Sequence, residues 1–182
     1  IDTGETFELD NTDCCFAYRN SIFKQALAHK TVITSVLFRL STVAAVQADY
    51  AALRDYLVQH LAPGETVTPL RVKDAVCAVR RTRLPDPHVL PNAGSFFKNP
   101  QISREQFDAL QQRFPQIAHY PGENAQVKIA AAWLIDQLGW KGRCMGPACV
   151  HDRQALVLVN RHGACGEEVL ALAAAICADV KK

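Results

Sequence analysis

"RLPDPHVLPNAGSFFKNP" occupies residues 83–100. Pro85, Pro87 and Pro91 fall within its first nine residues. Proline has no N–H and a fixed φ, so 83–91 is neither helix nor central strand, and it reads as the boundary between 1–84 and 85–182. The second half of the stretch asks for more than a turn. Asn92, Gly94 and Pro100 already supply backbone freedom and rigidity. A turn has no use for Ser95, Phe96 and Phe97, and a core strand has none for Lys98. The segment reads as built to hold one small hydroxyl, that of Ser95, in place.

Downstream, "SREQ" (103–106) is a capping box, followed by the apolar stripe Phe107, Leu110 and Phe114. "QVKIAAAWLIDQLG" (126–139) reads as one helix with Gly139 at its stop. "ALVLVN" (155–160) reads as a buried strand, and "GEEVLALAAAICADVKK" (166–182) as a helix with acids first and lysines last. A lone strand cannot satisfy its own backbone, so partners are expected from "SFFKN", from "CMGPACVH" or from sequence outside the chain.

Upstream, "ETFELD" (5–10) alternates like a short strand. "TVITSVLFRL" (31–40) is β-branched and apolar, a strand with at least one buried face. "DYAALRDYLVQHL" (49–61) has helical spacing, and Thr68 and Pro69 cap and open another helix. The fold class is therefore mixed α/β of the α+β kind.

The bulk numbers set limits. A chain of 182 residues, 49% hydrophobic and 21% charged, suits one good core or two small ones. A net charge of +2 argues against nucleic acid or membrane recruited by bulk charge. Five cations in 71–83 face only Asp74 there, as an anion site or a solvated helix face. Seven cysteines without framework spacing predict free thiols and a reducing compartment. No apolar run reaches transmembrane length. "IDTGETFELD" lacks the basic and apolar regions of a signal peptide. With no initiator methionine, the sequence is expected to open partway through a longer chain.

Each candidate group has a plainer alternative. Ser95 is not a nucleophile elbow, because Phe97 breaks G-x-S-x-G; it is a proton donor, an anchor or a turn serine. Arg19, in "DCCFAYRNSIFK" (13–24), suits a carboxylate or phosphate clamp or a surface ion pair. Cys144, Cys149 and His151 form C-x4-C-x-H, too wide for a usual zinc pair and without a fourth ligand; no metal is expected. Lys128 near a helix start is placed for an anion or snorkels.

"CFAYRNSIFK", "RRTRLPDP", "NAGSFFKNP", "VKIAAAWLIDQLGWKG" and "VHDRQALVLVN" together resemble, in order and spacing, the UDP-N-acetylenolpyruvoylglucosamine reductase family over nearly the whole chain. The resemblance implies a cytoplasmic, monomeric FAD- and NADPH-dependent enzyme making UDP-N-acetylmuramate for peptidoglycan. It implies that Ser95 protonates the substrate carbon and that Arg19 meets the enolpyruvyl carboxylate. Tyr50 resembles the loop tyrosine of the family's longer type. Arg83 falls where the family commonly has a diphosphate lysine. Asn99, Tyr120, Lys128 and Gln154 resemble residues lining the UDP-sugar site. Residues 1–84 then end a flavin-binding domain, and 85–182 form a substrate-binding domain without its last, glutamate-bearing strand. The glycine-rich flavin loop is expected outside this chain, leaving the 182 residues alone inactive and without FAD. Two other readings use the same serine: a non-catalytic UDP-sugar-binding module, and a hydrolase or transferase with a Ser95 nucleophile.

Overall fold

The computed structural model describes residues 3–43, 45–62 and 64–182. It divides into two compact units, Ile1–Ala44 and Ala45–Lys182. This break precedes the proline-rich stretch, which forms a turn inside the second unit.

In the first unit, Ala17 and Asn20 exchange two backbone hydrogen bonds of 3.0 and 3.1 Å. They close a tight turn with Tyr18 and Arg19 at its tip, followed by a short 3-10 turn, Ile22–Lys24. The strands expected at 5–10 and 31–40 do not form. β-Branched composition favours extended backbone, but a strand needs a partner ladder, and no strand is described in this unit. Leu37, Phe38 and Leu40 stand exposed instead.

The second unit opens with helices α1 (Ala51–His60) and α2 (Pro69–Arg83). They bury Leu53, Leu57 and Ala75 between them. The cap forms as the residue types require: Thr68 Oγ1 accepts the N–H of Arg71, with Pro69 at the first helical position. After α2, the N–H groups of Val89 and Leu90 both donate to Asp86 O, so the proline stretch is a closed turn.

Strands β1 (Asn92–Ser95), β5 (Cys144–Met145), β6 (Ala148–Val150) and β7 (Val157–Asn160) form an antiparallel sheet in the order β1-β7-β6-β5. The expected partners of "ALVLVN" thus come from "NAGS" and "CMGPACV". Side chains alternate between the faces. Ala148, Val150 and Leu158 pack with Ile135 and Trp140 and with Leu172 and Ile176 of helix α5 (Gly166–Val180). Cys149, Val157 and Val159 form the other face, covered by Leu84 and Leu90.

A second antiparallel sheet has the order β2-β4-β3: β2 (Gln101–Ile102), β4 (Val127–Ile129) and β3 (His119–Pro121). Helix α3 (Arg104–Arg113) starts with the complete Ser103–Gln106 capping box. It packs Phe107 onto Val127, Ile129 and Ile117; burying that ring contributes about 1.5–3 kcal/mol.

Two sequence readings change here. The single helix over 126–139 is instead β4 followed by the short helix α4 (Ala131–Gln137). Val127 and Ile129 are buried on one face while Lys128 lies on the other, a period of two. Lys128 is therefore a strand residue, not a helix-start cation. Gly139, with φ of +70°, does end the helix. The expectation of seven free thiols also falls, because Cys144 and Cys149 are joined by a disulfide. The two-residue loop Gly146-Pro147 makes them opposing partners of β5 and β6; the other five cysteines are free.

Candidate functional site

Ser95 ends β1, opposite Val157. Opposed residues share a sheet face, so Ser95 leaves on the Val157 side, over which Leu84 packs. The register slips by one residue between Asn92 and Ser95, where Gly94 has φ of +60°. A bulge of this kind re-aims the side chain that follows it. The N–H of Phe96 then donates to Leu156 O at 2.8 Å. Phe96 and Phe97 meet edge to face, centroids 5.3 Å apart, and pack on the main core. The phenylalanines thus anchor the chain beyond an exposed serine.

Gln154 lies in the β6–β7 connection, at the end of the sheet that carries Ser95. The N–H of His151 donates to Val157 O, and that of Val157 to Gln154 O, both at 2.9 Å. Val157 is thus tied to the Gln154 loop on one side and to Ser95 on the other.

From β1 the chain crosses to the second sheet through Asn99, whose Oδ1 accepts the N–H of Ala131 at 2.9 Å. This side chain caps α4, a role its motif did not disclose. On β4, Lys128 stands opposite Gln101 on one side and Tyr120 on the other. Tyr120 and Lys128 therefore share the face away from Phe107.

Arg83 and Tyr50, 33 residues apart, also meet. Arg83 Nη1 donates to Tyr50 Oη at 2.8 Å, with its guanidinium 5.9 Å from the ring centre. Two more cations of the basic stretch, Arg71 and Lys73, are paired. Arg71 Nε donates to Glu65 Oε1 at 2.6 Å, an acid the stretch itself did not contain. Lys73 pairs with Asp74 at 2.9 Å. The Ala62 N–H first, and then Arg71, hold the Glu65 carboxyl below its usual range. Asp74 raises the Lys73 ammonium. Arg19 belongs to the first unit, where φ of +53° holds it in the left-handed region and its carbonyl accepts Lys24 Nζ at 3.2 Å. Such backbone strain in a non-glycine residue is found often at ligand sites.

His151 is the residue that the motif reading used only as a metal candidate. It is 4% exposed, and its Nδ1 accepts the N–H groups of Arg153 and Gln154 at 3.1 and 3.2 Å. The sequence signal was the spacing of an acceptor side chain ahead of the amides two and three residues on, the pattern of an Asx turn. The disulfide removes Cys144 and Cys149 as thiolate ligands.

A flavin's diphosphate needs backbone amides, commonly at a glycine-rich turn opening a helix. In the second unit, side chains occupy amides at four helix starts: Thr68 at Arg71, Ser103 at Gln106, Asn99 at Ala131 and Glu168 at Cys165. None of these starts carries a G-x-G-x-x-G turn. These four helix starts do not fit a flavin diphosphate.

A family model described as UDP-N-acetylenolpyruvoylglucosamine reductase, C-terminal domain, matches residues 86–182. The chain is 53% identical over 182 residues to the UDP-N-acetylenolpyruvoylglucosamine reductase of Paraburkholderia xenovorans, covering all of this chain and 53% of that protein. It is 54% identical over 178 residues to the enzyme of that name from Paraburkholderia phymatum, covering 98% of this chain and 51% of that protein. A Burkholderia orbicola enzyme of the same name is 52% identical over 179 residues, with 98% and 51% covered. The chain spans about half the length of the curated relatives it matches. With the reductase's C-terminal domain accounting for more than half of its residues, this chain belongs to the UDP-N-acetylenolpyruvoylglucosamine reductase family.

Proposed function

We propose that this chain supplies the substrate side of a cytoplasmic, monomeric NADPH-dependent flavoenzyme that reduces UDP-N-acetylglucosamine enolpyruvate to UDP-N-acetylmuramate for peptidoglycan. Residues 1–84 then close the flavin-binding region and 85–182 form the substrate-binding domain. FAD, reduced by NADPH, supplies the hydride in the whole enzyme; the residues described here supply binding, charge balance and a proton.

Ser95 Oγ–H gives its proton to the substrate carbon that has gained electron density. A carbon base of that kind accepts a proton even from an ordinary hydroxyl, provided the hydroxyl is held in place. The Arg19 guanidinium balances the charge gathering on the neighbouring carboxylate. Lys128 and Tyr120, side by side on one strand pair, line the UDP-sugar site with Gln154 and Asn99. Arg83 takes the diphosphate, and Tyr50, hydrogen-bonded to it, closes over the substrate. The start of α1 has no side-chain cap, so its first amides favour an anion beside Tyr50.

The observation that carries this reading is the Ser95–Val157 register, which sets the serine at the Gln154 end of the sheet in a chain of this family. Replacing Ser95 with Ala or Cys in the full-length enzyme tests it. Turnover is expected to fall by roughly 10²–10⁴-fold with KM little changed. A change in affinity alone would point to a non-catalytic UDP-sugar-binding module.

A further inference from the structure

We infer that His151 is a positioning residue: its buried imidazole fixes the 151–154 turn and so sets Gln154 against the UDP-sugar. The inference rests on the reading of Gln154 as a substrate contact.

The argument starts from hydrogen bonds. Nδ1 accepts two amide N–H groups, from Arg153 and Gln154. A ring nitrogen that accepts carries no proton, so the neutral imidazole holds its proton on Nε2. Nε2 faces Asp152 Oδ1 at 3.4 Å, a carboxylate suited to receive it. Two bonds to Nδ1, with Asp152 on the Nε2 side, favour one orientation of the ring. The N–H of His151 bonds Val157 O, and the N–H of Val157 returns to Gln154 O. Imidazole and backbone together leave the Gln154 main chain little freedom.

A long apolar side chain at 151 would fill the space and leave two amides without their acceptor. Asparagine would keep an acceptor at the right separation, because its carbonyl makes the same two-residue and three-residue turn bonds. Shape and acceptor can thus be separated by choice of variant.

The test uses the full-length enzyme and UDP-N-acetylglucosamine enolpyruvate. Q154A and H151F are each expected to raise KM roughly tenfold, the scale of one hydrogen bond. H151N should return KM to within about threefold of wild type, and H151F/Q154A should be no worse than Q154A alone, because both act through one contact. Additive losses in the double variant would overturn the inference, as would H151N failing like H151F. If Q154A leaves KM unchanged, the reading of Gln154 itself fails and the inference with it; H151F then shows whether histidine acts elsewhere. Should H151F not fold, ¹⁵N shifts of the wild-type imidazole decide: an unprotonated, accepting Nδ1 is expected, and a proton on Nδ1 would contradict the geometry.

Discussion

Asn99 carries two demands on one side chain. Its Oδ1 accepts the Ala131 N–H at the start of α4, so a substrate contact falls to its Nδ2. Asn99→Ala should lower stability by about 1 kcal/mol, the usual loss of a cap, read as a shift in urea midpoint. Asn99→Asp keeps the acceptor and adds charge where the helix dipole favours it, so it should stay near wild-type stability. An alanine variant of full stability would remove the capping role. Little of this residue's work was legible in the sequence. "NAGSFFKNP" marked it as a ligand contact through family resemblance, while its partner lies 32 residues away.

At the scale of elements, what was legible is what is local. Thr68 with Pro69, Ser103 with Gln106, and Gly139 each act within a turn of their own position, and each works as its type requires. Strand β4 was hidden because its partners are two- and three-residue strands, too short to leave a period. The Cys144–Cys149 bond was hidden in the same way, since register makes it and spacing does not. Under denaturing, non-reducing conditions a maleimide should label five thiols, and seven after reduction; seven without reductant would rule out the bond.

The end of α5 gives a pH prediction. Asp179 is held below its usual range, first by Lys182 and then by the indole N–H of Trp140, which donates at 3.0 Å. A depressed carboxylate pKa contributes stability above the unfolded value, about 3.9 for aspartate. That contribution is lost as pH falls toward the folded value. The stability difference between wild type and Asp179→Asn should therefore shrink below about pH 4. A difference constant across that window would contradict the assignment.

The whole molecule divides its work unevenly. Residues 86–182 carry the family's domain and two packed sheets. By contrast, 31–40 expose an apolar run that read as a buried strand. The misreading is physical: composition sets the tendency to extend, but only a partner ladder makes a strand. The polypeptide of 182 residues alone should bind a hydrophobic dye through this run and retain no FAD on purification. Flavin absorbance co-purifying with it would contradict the division proposed here.

Ser95 as proton donor is the central claim, and separating the half-reactions of the full-length enzyme tests it most directly. In Ser95→Ala, reduction of the flavin by NADPH should proceed within about twofold of wild type. Formation of UDP-N-acetylmuramate on mixing the reduced enzyme with substrate should slow by roughly 10²-fold or more. Product appearing at the wild-type rate would contradict the claim.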